Sequence, residues 1–219
     1  MIEFIRMGAE SSAAIQVDRA KIVYRRLGNG RPLLVLNGFG AASSDWDPGG
    51  SEADLASAGV WSQLVDTSGA PHDQAKRLLS LLFPDDVAES FYREFGDIVA
   101  AARVRLSPDL INRQAAAMDE WHRNGAGDRL RGINAPVLIA TGSEDVVIPP
   151  SNALKLVNAI PNAWLAQFPH GGHAFMAQYP RQLAELINCF LAIRSRSGSS
   201  ILATAQRVHA FQRFRIGFA

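Results

Sequence analysis

Two short apolar runs separated by a helix-like stretch form the strongest pattern in this chain. Residues 137–140 and 164–168 are apolar runs of strand length, and residues 152–160 between them have apolar positions at helical spacing. This order predicts a strand–loop–helix–strand–loop unit. In such a unit the strands run parallel, and the loops after their carboxyl ends share one edge of the sheet, where ligands bind.

Each of these two strands is followed by a side chain that can hold or move a proton. Asp145 follows the first strand, and His173 follows the second in a glycine-rich loop. Since both loops lie at one edge of the sheet, we expect the Asp145 carboxylate and the His173 ring to meet. An acid that orients a histidine forms two of the three parts of a nucleophilic triad. The alternatives are an acid that caps a turn and an ordinary loop histidine.

The chain before this unit is predicted to contain a hairpin, a buried strand and a long helical region. Residues 15–27 alternate as two short strands around a turn at Asp18-Arg19, and residues 33–36 form a continuous apolar run. Residues 51–130 have helical periodicity and no convincing strand, and Pro108 follows Ser107 as the first residue of a helix. One helix in this region has four apolar residues at mixed three- and four-residue steps: Val87, Phe91, Phe95 and Ile98.

The last part of the chain is predicted to be a core helix followed by a basic extension. The helix begins at Pro180, and we interpret its cysteine, Cys189, as a small packing residue. Residues 194–219 contain five Arg, one His and no acid, with apolar residues at helical spacing. This pattern is typical of an amphipathic helix on a membrane or a partner, or of a loosely ordered extension past the domain.

Three segments carry a resemblance to the α/β-hydrolase family. Residues 142–149, GSEDVVIP, resemble its acid loop, and residues 171–173, GGH, resemble its histidine loop. In that family the order is nucleophile, acid, histidine. Residues 37–40, NGFG, resemble the segment that lines the oxyanion hole, so the resemblance implies that the Phe39 N–H stabilises developing negative charge. The implied fold class is α/β: an incomplete, mostly parallel α/β-hydrolase sheet with a helical cap.

The family's nucleophile is missing from the sequence. The resemblance requires a serine on a G-x-S-x-G turn, and the chain contains no such motif. We interpret this as an internal deletion near residues 47–50, which joins the oxyanion segment to the cap and removes the nucleophile strand. The domains predicted on this basis are a core at residues 15–48 and 131–193, a cap at residues 51–130 and the extension at residues 194–219.

The resemblance implies a serine-type hydrolase of esters or related small apolar substrates that needs no cofactor. Activity depends on a nucleophile, and Ser43, Ser44 and Ser68 are the remaining candidates, although none has the flanking sequence of an elbow. A water activated by His173 is another substitute. The alternative is a catalytically inactive remnant, or a pseudoenzyme that binds a small molecule under the cap.

Composition excludes several other classes of protein. The net charge of +1 gives no electrostatic reason to bind nucleic acid. One cysteine allows no internal disulfide, and the chain has no secretory signal and no apolar run that could span a membrane, so we expect a cytoplasmic protein. His170 and His173 have H-x-x-H spacing, but a zinc site needs three or four ligands and no cysteine or acid cluster joins them, so we expect no metal. The sequence leaves the oligomeric state open.

Overall fold

A computed structural model of the protein describes residues 11–17, 20–26, 48–105 and 107–195. The predicted strand at residues 33–36 and the oxyanion segment with Phe39 lie outside these residues. So do Ser43, Ser44, the turn at Asp18-Arg19 and nearly all of the basic extension. Within the described ranges, no helix is both long enough and apolar enough to cross a lipid bilayer.

The first described element is the hairpin that the alternating pattern predicts. Strand β1, Ser11–Val17, pairs antiparallel with β2, Ala20–Arg26. Ile15 lies opposite Ile22 in this register. The predicted pairing of the two strands is therefore confirmed.

The helical pattern of residues 51–130 gives four α-helices in the described part of the chain. Proline at the first position begins two of them, because its missing N–H has no partner to lose there. Ser57 caps the first helix by accepting the Val60 N–H at 3.2 Å. The helices are α1, Ala58–Val65; α2, Pro71–Leu82; α3, Asp85–Val104; and α4, Pro108–Asn124. Short 3-10 helices span Gly50–Glu52 and Gly127–Gly132.

Helices α2 and α3 pack on each other around a small apolar core. Leu79, Phe83 and Ala88 are its buried members, and the Phe83 and Phe91 rings stack with centroids 3.8 Å apart. Ile98 belongs to the same sequence periodicity, but it is 67% exposed. Mixed three- and four-residue steps keep these residues on one face of the helix, but they do not show where along the helix the covering surface ends.

The unit that carries Asp145 and His173 has the predicted strand–helix–strand order. Strand β3, Leu138–Gly142, pairs parallel with β4, Trp164–Phe168, and α5, Ser151–Ala159, connects them. The side chains in the first part of both strands are only half-buried, whereas Thr141, Gly142 and Phe168 at the carboxyl ends are buried. Burial is therefore concentrated beneath the loops that follow the strands.

Two helices complete the described chain. Helix α6 spans Phe175–Gln178 and α7 spans Pro180–Ser195, which confirms the predicted start at Pro180. Phe190 is buried and meets the Trp164 ring edge-on, with centroids 5.6 Å apart, so α7 packs on β4 through this residue. Cys189 is exposed, and its interpretation as a packing residue is wrong. Adjacent helical residues point about 100° apart, and the buried direction here belongs to Phe190.

Candidate active site

The loops that follow β3 and β4 are in direct backbone contact. The Ser143 N–H donates to the Phe168 carbonyl at 2.9 Å, and the Glu144 N–H donates to the Gly171 carbonyl at 2.8 Å. A β-carbon on Gly142 would overlap the carbonyl group of Gly171, so only glycine allows this approach. The two loops are therefore held at a fixed separation at the carboxyl edge of the sheet.

This contact brings the Asp145 carboxylate against the His173 ring. Nδ1 of His173 lies 3.0 Å from Asp145 Oδ2 and 3.1 Å from Oδ1. Both side chains are buried, with 8% of the His173 side chain and 7% of the Asp145 side chain exposed. The two groups meet as the sheet-edge argument expects, while their catalytic role stays a prediction.

Asp145 also caps the turn that follows it. Its Oδ1 accepts the Val147 N–H at 2.9 Å and the Ile148 N–H at 2.8 Å. Turn-capping was the alternative interpretation of this residue, and the two interpretations are compatible because one carboxylate has room for several donors. Since a carboxylate only accepts, the proton on the neutral His173 ring is assigned to Nδ1, and Nε2 carries the basic lone pair.

The loop that carries His173 is also held from its other side. The Tyr179 hydroxyl donates to the Pro169 carbonyl at 2.6 Å. The Gln178 side chain accepts the Gly172 N–H at 2.8 Å and donates to the His170 carbonyl at 3.0 Å. A loop with so many of its peptide groups bonded keeps its side chains in place, which favours a fixed orientation of the His173 ring.

The helical region reaches this loop directly. The Ala174 N–H donates to the Leu82 carbonyl at 3.0 Å, at the carboxyl end of α2. A β-carbon on Gly172 would lie 2.5 Å from the Leu82 oxygen and 2.9 Å from the Phe83 α-carbon. The junction between α2 and α3 is therefore in contact with the backbone on both sides of His173.

His170 has partners that the sequence analysis missed. Its Nδ1 lies 2.8 Å from Glu144 Oε1, and its Nε2 lies 2.8 Å and 2.9 Å from the Asp86 oxygens. The hydrogen bond with Glu144, and then that with Asp86, raise the pKa of His170 above its ordinary value. Glu144 adjoins Asp145, so the sheet-edge argument would also have brought Glu144 near His170. Nothing in the sequence points to Asp86.

The H-x-x-H spacing of His170 and His173 does not bring the two rings to one set of ligands. The two rings face different acids, and in the described part of the chain no group of three or more His, Cys, Asp or Glu side chains could hold a metal ion. Ser68 lies in the loop before α2, where its N–H donates to Asp66 at 2.8 Å and its carbonyl accepts from Arg77 at 3.0 Å.

Comparison with known proteins identifies the fold. No family model matches the chain. It is 29% identical over 105 residues to 2-hydroxy-6-oxo-6-(2'-aminophenyl)hexa-2,4-dienoic acid hydrolase of Metapseudomonas resinovorans, covering 45% of this chain and 36% of that protein. The chain spans about a third of the length of the two curated relatives that it matches.

Solved structures resemble a larger part of the chain. A meta-cleavage product hydrolase from Pseudomonas fluorescens IP01 superposes with a TM-score of 0.54 at 17% identity, covering 71% of this chain and 54% of that one. A bromoperoxidase from Bacillus anthracis gives a TM-score of 0.51 at 18% identity, covering 62% and 49%. These similarities, with the acid and histidine loops at one sheet edge, define a partial α/β-hydrolase fold. Over the part that these structures cover, the chain is thus similar in fold to the α/β-hydrolases.

Proposed function

We propose that Asp145 and His173 are the acid and the general base of an α/β-hydrolase site that acts on esters or related small apolar substrates. The buried contact between His173 Nδ1 and the Asp145 carboxylate, at 3.0 Å, carries this proposal. It leaves Nε2 as the basic atom, which is the arrangement that proton removal from a nucleophile requires. As the base takes up a proton, the buried carboxylate stabilises the imidazolium that forms.

In this proposal the Phe39 N–H supplies the oxyanion contact. The segment at residues 37–40 precedes the acid and the histidine in the order that the family uses, and a backbone N–H aimed at developing negative charge lowers the barrier to acyl transfer. The matched relatives are hydrolases by name, which supports the reaction class.

The covalent route needs a serine, and no G-x-S-x-G motif occurs in the chain. Removing the nucleophile of a serine hydrolase costs on the order of a million-fold in rate, and the remaining residues do not replace it. The second candidate function is therefore a catalytically inactive remnant or a pseudoenzyme that binds a small molecule. The missing elbow favours it.

A fluorophosphonate probe and a p-nitrophenyl ester separate these functions. We expect no labelling of the full-length chain, because the probe reports a serine activated by a histidine. Labelling that His173→Ala abolishes would show that a serine outside an elbow, such as Ser43 or Ser44, is the nucleophile. Ester turnover by a chain that the probe does not label, if it is lost in His173→Ala, would indicate that a water activated by His173 is the nucleophile. If the chain shows neither probe labelling nor ester turnover, the binding function is the one that remains.

A further inference from the structure

His170 joins three parts of the structure. One ring nitrogen contacts Glu144 in the acid loop, and the other contacts Asp86 in the first turn of α3, with a shortest distance of 2.8 Å in each case. The His170 N–H also donates to Ser143 Oγ at 2.8 Å. This residue, three positions before His173, therefore links the acid loop, the histidine loop and the helical region.

The two ring contacts together require the imidazolium form. A carboxylate oxygen only accepts hydrogen bonds, so a ring nitrogen that faces one needs a proton. A neutral imidazole has a single N–H, and its other nitrogen would direct a lone pair at Glu144 or at Asp86. The neighbouring charged groups are also acids, since Asp145 follows Glu144 and Asp85 precedes Asp86 in the sequence. The contact from α6 is made by a neutral side chain, that of Gln178, which donates to the His170 carbonyl.

The backbone of His170 adopts a conformation that its side chain disfavours. Its φ of 52° lies in the left-handed region, where a β-carbon crowds the following peptide and where glycine and asparagine are found most often. A non-glycine residue keeps such a conformation only where surrounding contacts hold it. Here the contacts of the His170 ring and of its backbone hold this conformation.

We propose that His170 is a positioning residue for the Asp145–His173 pair: as an imidazolium, it ties the acid loop and the start of α3 to the loop that carries His173. Glu144 adjoins Asp145 in one loop, and His170 precedes His173 in the other. The ion contact therefore sets the spacing of the two loops from the solvent side, as the approach of Gly142 to Gly171 sets it from inside. The proposal builds on the roles of the pair in the proposed function, but it concerns geometry and is tested without turnover.

The tie depends on pH in one direction. The pKa of His170 is raised in the folded chain by Glu144 and Asp86, so its contribution to stability is fully present below the ordinary histidine pKa of about 6.5. That contribution is lost as the pH rises through the raised pKa. Above that pKa the neutral His170 ring has a single N–H, so either Glu144 or Asp86 loses its hydrogen-bond donor.

The test uses full-length chains and the ring nitrogen signals of the histidines in NMR titrations. His170→Asn is the main variant, because asparagine tolerates the left-handed backbone but cannot form a cation. His72→Asn is the matched control, since His72 is an exposed histidine on α2, 57% exposed, with Asp97 at 3.8 Å. Glu144→Gln and Asp86→Asn each neutralise one partner of the His170 ring.

We expect His170 to titrate above the ordinary histidine pKa of about 6.5, and its midpoint to be lower in Glu144→Gln and in Asp86→Asn than in the wild type. The ring signals of His173 should shift in His170→Asn and stay unchanged in His72→Asn. The difference in melting temperature between the wild type and His170→Asn should be largest below the ordinary histidine pKa of about 6.5, and it should shrink as the pH rises through the raised pKa.

Three results would overturn the proposal. The first is a His170 midpoint at the ordinary value, and the second is a midpoint that neither neutralising variant moves. The third is a lower melting temperature in His170→Asn with unchanged His173 signals, which would make His170 a structural residue only. If His170→Asn fails to fold, the His173 signals in Glu144→Gln and Asp86→Asn decide the question. An inactive chain that meets all the expectations would reject the proposed function and keep this proposal.

Discussion

Asn152 binds the peptide groups of Asp54 with both ends of its side-chain amide. Its Oδ1 accepts the Asp54 N–H at 2.8 Å, and its Nδ2 donates to the Asp54 carbonyl at 2.8 Å. Asn152 is fully buried, with 0% of its surface exposed, and Lys155 adds an ion contact to the Asp54 carboxylate at 2.6 Å. The start of α5, just after the acid loop, is thereby joined to the segment that follows the predicted deletion near residues 47–50.

We expect Asn152→Ala to lower the free energy of unfolding by about 1–3 kcal/mol, because it leaves a partly buried N–H and carbonyl without partners. Urea denaturation followed by circular dichroism measures this change. Ser151→Ala is the control, since Ser151 is the adjacent residue and its hydroxyl binds the exposed Asp54 carboxylate. Its expected loss is below about 1 kcal/mol. Equal losses in the two variants would show that the amide pair does not hold this segment.

The close approach of Gly142 to Gly171 gives a second prediction. A β-carbon on Gly142 would overlap backbone atoms of Gly171 and Gly172, which cannot move aside as a flexible side chain can. Gly142→Ala should cost about 3 kcal/mol, since it forces the two loops apart. It should also shift the His173 ring signals, because the same loops carry the Asp145–His173 contact.

Gly132→Ala is the matched control for this variant. A β-carbon at Gly132 meets nothing within 4 Å, so the expected change in the free energy of unfolding is within about 0.5 kcal/mol. A Gly142→Ala chain as stable as Gly132→Ala, with unchanged His173 signals, would mean that the loops are not fixed by backbone contact.

Local signals in the sequence were sufficient for the elements around the candidate site. Proline at the first helical position marked the starts of α4 and α7, and the apolar run at residues 164–168 has the bounds of β4. The meeting of Asp145 and His173 followed from one topological rule, since parallel strands place the loops after them at the same edge. These features depend on short sequence separations or on that rule.

Features that depend on distant partners were not predicted. The contact of Asn152 with Asp54 joins residues 98 positions apart, and that of His170 with Asp86 joins residues 84 positions apart. Neither has a local signature. The exposure of Ile98 and Cys189 also depends on distant parts of the chain. Periodicity predicts the apolar stripe of a helix, but it does not predict how far the surface that packs on the helix extends.

Arg103 provides a third prediction, on the packing of the helical region. It is a buried residue of α3 whose Nε donates to Gln74 at 3.2 Å and whose Nη2 donates to the Asp66 carbonyl at 3.1 Å. Burial, and then the nearby Arg77, lower the pKa of Arg103. Arg103→Met should cost about 1–3 kcal/mol, because the Gln74 side-chain oxygen loses this donor and the Asp66 carbonyl keeps the Arg77 donor without that of Arg103.

Thermal or urea unfolding measures the loss in Arg103→Met. The control is Arg105→Met, two residues further on, where the side chain is exposed. We expect that change to stay within about 0.5 kcal/mol. A Met variant at position 103 that unfolds at the wild-type midpoint would show that apolar packing replaces the guanidinium contacts without loss.

The last prediction concerns the proton on His173. Asp145→Asn keeps an oxygen that can accept the Val147 and Ile148 N–H groups, but its amide NH₂ group can face His173 Nδ1 as a donor. The ring should then exchange tautomers, so that Nδ1 accepts and Nε2 carries the proton. A histidine in that form cannot act as a base through Nε2, and in a serine protease the same exchange lowers kcat by about 10⁴.

Ring ¹⁵N chemical shifts at a pH where His173 is neutral distinguish the two tautomers, and the shifts of the two nitrogens should change places in Asp145→Asn. Asp128→Asn is the control, since that acid is exposed on 97% of its side-chain surface. Asp145→Ala should also lose about 3 kcal/mol of stability, because it strands the donors that the carboxylate accepts. Unchanged His173 shifts in Asp145→Asn would show that Asp145 does not set the tautomer, and the acid role proposed for it would then fail.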